Sequence, residues 1–281
     1  MKVLERVSFA MILLIAFSLQ GCHKENSNEN EEQEENVYPD SLIVTVNGVS
    51  FNMIHVIGGT FIMGSQHSNH YAANYDTDSY DWEAPVHFVR VGNFYMAETE
   101  VTQALWKAMM GVNPSHFIGD SLPVETVNWK DCKQFIQALN EMSEYHFFLP
   151  TEAQWEYAAR GGNMSLGCKY SGSNQINNVA WYNKNDSGNF IDSTHFVATK
   201  QANELGLYDM SGNVWEWCND YFGDYPDDDQ DNPSGPETGN KRVIRGGSWG
   251  NVAQLCRVAY RGSYYENILN DNLGLRLAMY K

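Results

Sequence analysis

Twelve consecutive residues, Gly206-Leu-Tyr-Asp-Met-Ser-Gly-Asn-Val-Trp-Glu-Trp217, constrain this chain more than any other stretch. Asp209 and Glu216 bracket a Ser211-Gly212-Asn213 turn, in which glycine supplies backbone freedom and Asp209 and Asn213 can bond back to nearby amides. Beyond Gly212 the pattern alternates, so Val214 and Glu216 are expected to point one way and Trp215 and Trp217 the other. Side-chain oxygens of Asp209 and Glu216, with the carbonyls of Gly212 and Val214, form an oxygen-rich set suited to calcium. The plainer reading is a polar turn beside a tryptophan core with no ion.

Whatever packs on those tryptophans has ample material, since the 281 residues are 43% hydrophobic and 13% aromatic. The glycine, asparagine and tyrosine load favours strands, turns and long loops. Eighteen basic residues against 35 acidic ones give a net charge of −17, which argues against nucleic acid as a partner.

The N-terminus points to an envelope location. Lys2 and Arg6 precede an apolar run from Val7 to Leu19, the shape of a secretory signal and too short for a comfortable membrane span. It ends at Leu19-Gln-Gly-Cys22, which resembles a bacterial lipobox. The expectation is a signal peptide at residues 1–21, lipidation at Cys22 and an acidic, disordered tether at residues 22–40. Such a chain is anchored to the outer membrane, facing the periplasm or the cell surface. Four other cysteines remain, Cys132, Cys168, Cys218 and Cys256, and their pairing is not fixed by spacing.

Along residues 41–281, Asn47-Gly48 predicts a two-residue hairpin, and Val86 to Met96 reads as strand. Helices are expected before Gly111, after Asn128-Trp-Lys-Asp131, and from the capping box at Thr151-Glu-Ala-Gln154 to Gly161-Gly162. Asp220 to Gly239 reads as a solvated acidic loop, and strand signals recur at Arg242–Arg245, Arg257–Tyr260 and Leu275–Ala278.

Read in order, Phe61-Ile-Met-Gly64, Glu100-Val-Thr102, Val127-Asn-Trp129, Leu149 to Gly161, Gly206 to Trp217, Arg242-Val-Ile-Arg-Gly-Gly-Ser-Trp249, Cys256-Arg257 and Gly274-Leu-Arg276 resemble the formylglycine-generating, or sulfatase-modifying factor, family. The resemblance implies a single compact α+β domain related to the C-type lectins, low in regular structure. It assigns calcium to Asp209, Gly212, Val214 and Glu216, with a second calcium loop near Asn178 to Asn189. It also implies copper: active members oxidise a substrate cysteine to formylglycine with a copper(I) ion held by two cysteines five positions apart, just after Gly-Gly-Ser. Soft thiolates suit that ion. Here the second position is Cys256, but the first is Asn251, a hard neutral amide, so one ligand is absent. Ser248 and Trp249 match the wall of that site.

Two function classes follow. The favoured one is a lipid-anchored binding or structural module that contacts protein, peptide or glycan through its C-terminal face. Asn251, Arg257, Tyr260, Arg261, Tyr264 and Tyr265 are its candidate contacts, since tyrosine and asparagine make adaptable surfaces. A diversified lectin-fold ligand binder is a variant of this reading. The alternative is a formylglycine-generating oxidase using Cys256 with Ser248 and Trp249. Cys256 is otherwise a small buried hydrophobe or half of a disulfide with Cys218. Arg245 with Arg257, and Arg261 with Arg276, are expected to bond carboxylates such as Glu216 or Asp209, a ligand-facing arginine being the alternative.

Overall fold

A computed structural model describes residues 39–184 and 192–281. The signal peptide, Cys22, nearly all of the tether, and Asn185, Asp186 and Asn189 of the second calcium loop lie outside the described residues. Contacts gather Tyr38–Lys281 into one unit.

Asn47-Gly48 makes the expected tight turn, both residues at positive φ, between β1 (Ser41–Val46) and β2 (Val49–Val56). β3 (Gly59–Met63) and β4 (His87–Val91) pair antiparallel. The run expected as one strand from Val86 to Met96 is instead two, because the chain turns at Gly92-Asn93 before β5 (Phe94–Ala97). α1 (Gln103–Met110) starts under the Thr102 side chain and stops at Gly111, which is left-handed at φ 75°. α2 (Trp129–Glu141) opens with Asn128 and Asp131 in a reciprocal capping box and buries Cys132, Phe135, Ile136 and Leu139. β6 (His146–Phe148) leads to α3 (Glu152–Ala159), capped by Thr151 and Gln154 and buried at all eight positions, so it is a core helix with no solvent face. A short α4 (Ile176–Val179) precedes the long connection to β7 (Trp215–Tyr221). β8 (Gln230–Asp231), β9 (Arg242–Arg245), β10 (Gly262–Tyr264), β11 (Leu273–Gly274) and β12 (Ala278–Tyr280) complete the chain.

Three sheets result, in the orders β1-β2-β5-β12-β6, β10-β9-β7-β11 and β3-β4-β8. β12 closes the first sheet between β5 and β6, which brings the C-terminus back to the N-terminal hairpin. Two of the C-terminal strand expectations change. Arg257–Tyr260 is irregular after a 3-10 turn at Ala253–Cys256, because Arg257 turns inward to an ion pair. Leu275–Leu277 is a buried connector between β11 and β12.

Trp217 is fully buried and its indole N–H donates to the Val127 carbonyl at 3.0 Å, tying β7 to the segment before α2. Truncating a buried tryptophan typically costs about 3–5 kcal/mol. Denaturant titration of Trp217→Ala should show a loss of that size, whereas Ile43→Ala, at a side chain 77% exposed, should stay within about 0.5 kcal/mol of the parent.

Candidate functional site

The Gly206–Trp217 stretch is the hub on which the site is hung. Gly212 sits at φ 85°, and a Cβ there would lie 2.2 Å from the Trp181 carbonyl oxygen, so only glycine lets the two backbones meet. Gly212 N–H donates to Gly246 (2.8 Å), Asn213 N–H to Trp181 (2.7 Å), and Trp249 N–H to the Asn213 carbonyl (2.8 Å). The turn therefore holds the Gly246-Gly247-Ser248-Trp249 segment in place.

Alternation along β7 holds, but neither face is wet. Glu216 is fully buried. Its carboxylate accepts from Arg276 Nε (3.0 Å) and Nη2 (2.7 Å) and from Trp155 Nε1 (2.6 Å). Arg276 also donates to the carbonyls of Ala97 and Tyr208. Three further buried arginines are matched in the same way. Arg245 pairs with Glu156 and, at 3.3 Å, with Glu152; Arg261 forks onto Glu152 at 2.6 and 2.8 Å; Arg257 forks onto Glu83 at 2.9 and 2.5 Å, with Asp76 at 3.4 Å. Of the expected partners, Glu216 serves Arg276 alone. The others take carboxylates from α3 and from the loop before β4, because those elements pack directly on their strands. Arg257 and Arg261 are buried in these pairs, and each also borders a cavity, Arg257 beside Asp76 and Cys168 and Arg261 beside Asp220.

The four oxygens expected for calcium can be tested against this geometry. Glu216 is filled by donors, and a guanidinium lies against it. Asp209 Oδ2 accepts from Ala198 N–H at 2.7 Å, while Oδ1 has no partner. As arranged, Glu216 offers no open carboxylate edge to a dication, so the set does not fit the expected group. What stands out instead is Glu100, 2% exposed, with both carboxylate oxygens unpartnered. Burial and the neighbouring Asp209 push Glu100 well above the ordinary carboxylate range, and burial pushes Asp209 up to about 6.

At the expected copper position the structure is equally specific. Cys256 is fully buried, and burial raises its thiol to about 12. A Cβ on Gly247 would lie 2.6 Å from its sulfur, so the thiol is wedged against that backbone. Asn251 Oδ1 accepts from Ser248 Oγ at 2.6 Å, and Asn272 Nδ2 donates to Ser248 at 3.1 Å. A hydrogen-bonded amide–hydroxyl–amide chain stands where a second thiolate is needed, and these residues do not fit copper(I). Cys218 is a separate free thiol, so the suggested Cys218–Cys256 disulfide is absent; Cys132 and Cys168 are free as well.

Trp249 adjoins this chain, and a second group of rings gathers about Tyr260. Trp249 is half-buried, meets Phe117 edge to face at 5.5 Å, and donates to Asp271. Tyr260 is half-buried against Trp215 (5.8 Å) and Tyr80 (5.4 Å). Tyr80 in turn stacks on the exposed Trp82 at 4.5 Å. Burial raises the Tyr260 hydroxyl to about 12. Tyr265 is exposed beneath Lys241, and Tyr264 is half-buried. The sequence reading missed Tyr80 and Trp82. Tyr80 and Trp82 lie in a polar loop remote in the chain, and the exchange of bonds between Trp82 and Arg261 that brings them here has no local pattern.

Comparison with known proteins agrees with this geometry. The sulfatase-modifying factor enzyme 1-like domain family matches residues 45–281. "Chaperone protein LppX" of Paenibacillus barcinonensis is 33% identical over 69% of this chain and 82% of its own length. The formylglycine-generating enzyme of Streptomyces coelicolor is 29% identical over 80% of this chain and 88% of its own. Among solved structures, Treponema denticola variable protein 1 superposes with a TM-score of 0.73 at 32% identity, covering 87% of this chain and all of that one.

Two measurements check the site. Removing one partner of a buried ion pair costs about 3–5 kcal/mol, so Arg276→Met should lose that much in denaturant melts. Alkylation of the native protein at mildly alkaline pH should label the partly exposed Cys168 and spare Cys132, Cys218 and Cys256, which react only on unfolding. The chain belongs to the sulfatase-modifying factor, or formylglycine-generating enzyme, family and has that family's single α+β domain, related to the C-type lectins.

Proposed function

We propose that this protein is a non-catalytic binding module of the bacterial cell envelope, anchored by lipid at Cys22. The observation that carries the non-catalytic part is Asn251: its amide oxygen is committed to Ser248, and Cys256 stands alone and buried. Two thiolates are what would hold copper(I) and let a substrate thiolate join it. Burial raises the lone thiol to about 12, so as a free group it is protonated at neutral pH and a poor nucleophile there.

The binding part rests on the surface beside that pocket. Trp82, Tyr80, Tyr260, Tyr264, Tyr265 and Trp249 supply rigid rings with polar edges, on backbone held by the Arg261–Glu152 and Arg257–Glu83 pairs. Rings of this kind give contact area at little ordering cost, which suits a protein, peptide or glycan ligand. A chaperone and a variable protein stand among the relatives, and both names are consistent with binding partners in place of turnover.

The anchor reading rests on Leu19-Gln-Gly-Cys22, and the acidic stretch after it would serve as a spacer. Cys22→Ala should move the protein from the membrane to the soluble fraction; an unchanged membrane fraction removes the lipid anchor. For the pocket, Asn251→Cys should gain tight, stoichiometric copper(I) binding, at least about a hundredfold (2.7 kcal/mol) above the parent. Failure of that variant to gain copper affinity would mean that the loop has changed in more than one ligand.

A further inference from the structure

From Asp220 to Gly239 the chain carries seven acidic residues and no basic one, and six of the seven are exposed as expected of a solvated loop. The seventh, Asp220, is only 3% exposed. The loop folds back over the start of α3 and borders a cavity of about 290 Å3 whose lining includes Asp220, Glu152, Tyr221, Tyr225, Pro236 and the Arg261 guanidinium. Asp220 Oδ2 accepts from Glu152 N–H at 3.1 Å. The other oxygen, Oδ1, takes part in none of the ion pairs of the described residues. Gly235, at φ 74°, turns the loop so closely that a Cβ there would lie 3.2 Å from that oxygen. Glu152, beside it, is already neutralised by Arg261 and Arg245 and accepts from the Tyr225 hydroxyl at 3.3 Å. The cavity thus holds one buried carboxyl that makes no direct ion pair, the nearby Arg261 being paired to Glu152.

We propose that this cavity binds an alkylammonium group, from a lysine side chain or a free primary amine, with the ammonium on Asp220 and the methylene stem between the tyrosine and proline walls. A dication would ask for roughly 6–8 oxygens, and much of this wall is tyrosine and proline, with a guanidinium beside the carboxyls. An anion would meet the acidic loop. An ammonium needs one carboxylate and an apolar sleeve, and the exposed aspartates steer it to the mouth.

The charge balance gives a signature. Burial and Glu152 raise Asp220 to about 8, against the lowering influence of Arg261 and Arg242; His87 and Asp224 also line the cavity, and Tyr225 closes its inner side. At neutral pH the carboxyl is therefore protonated before binding. As the amine enters as R–NH3+, the Asp220 O–H bond breaks and its proton leaves to the buffer.

Calorimetric titration of the full chain with n-butylamine, Nα-acetyl-lysine amide and n-butanol tests this. Expected are saturable binding of both amines, none of butanol, and a heat that varies with the ionisation enthalpy of the buffer. Affinity should rise between about pH 6 and about pH 9 as the competing proton is lost. D220N, whose amide oxygen can still accept from Glu152 N–H, should weaken both amines by at least about tenfold (1.4 kcal/mol) with its melt unchanged. D224N at the exposed mouth should weaken them about threefold through lost steering and screening. Tighter acetyl-lysine amide identifies a polypeptide lysine as the ligand, and tighter butylamine a free amine; either rank supports the site. Butanol binding as well as the amines, no saturable binding of either amine, unaltered affinity in D220N, or buffer-independent heat would overturn it. Should D220N fail to fold, the buffer dependence and D224N decide the matter.

Discussion

Four buried arginines, each matched to a buried carboxylate, hold this domain in one shape. Regular structure is scant among the described residues: strands of two to eight residues, and loops such as residues 64–80 that hold no helix. Such loops cannot be fixed by backbone ladders alone. Arg257 brings the loop before β4 to the C-terminal segment through Glu83; Arg245 and Arg261 clamp α3 through Glu152 and Glu156; Arg276 joins β5, the 208 carbonyl and β7 through Glu216. Planar forks suit this task, since each guanidinium bonds a carboxylate and a carbonyl at once and fixes direction as well as distance. Burying the pairs is costly in desolvation, so their effect is less net stability than the selection of one arrangement, because every alternative leaves a charge unmatched.

The clamps support the segment on which the proposed loss of the family's chemistry rests. Gly246-Gly247-Ser248-Trp249 is held by Gly212 and Asn213 as a scaffold for metal would be, yet the ligand position carries a carboxamide that closes a hydrogen-bond chain with Ser248 and Asn272. Exchange of one sulfur for an amide turns a soft-metal pocket into a satisfied polar network. In the proposed function, half-exposed rings on backbone tied by these ion pairs give contact area at low ordering cost.

Much of this was legible in the sequence, for local reasons. The three helix starts at Thr102, Asn128 and Thr151, the Asn47-Gly48 hairpin and the turn at Gly212 depend on bonds within a few residues, and all form as read. Asn251 at the position where the family resemblance expects a thiolate is a reading of the sequence alone, and the structure adds its bond to Ser248. Long-range pairing was not. Nothing near Arg257 announces Glu83, 174 residues earlier, and nothing near Tyr260 announces Tyr80. Glu216 read as a cation ligand because its neighbours are turn formers; the buried Arg276, 60 residues on, takes its oxygens instead. Asp220 read as one more solvated acid, and only the fold shows that it alone points inward.

Turnover is the most direct test of the central claim that the platform holds ligands and performs no oxidation. Purified protein incubated with copper(I), oxygen, a reductant and a cysteine-containing sulfatase peptide should yield no aldehyde above the copper-only control by mass spectrometry, and should bind no copper at Cys256. Stoichiometric copper on the wild-type chain together with formylglycine in the peptide would contradict the account.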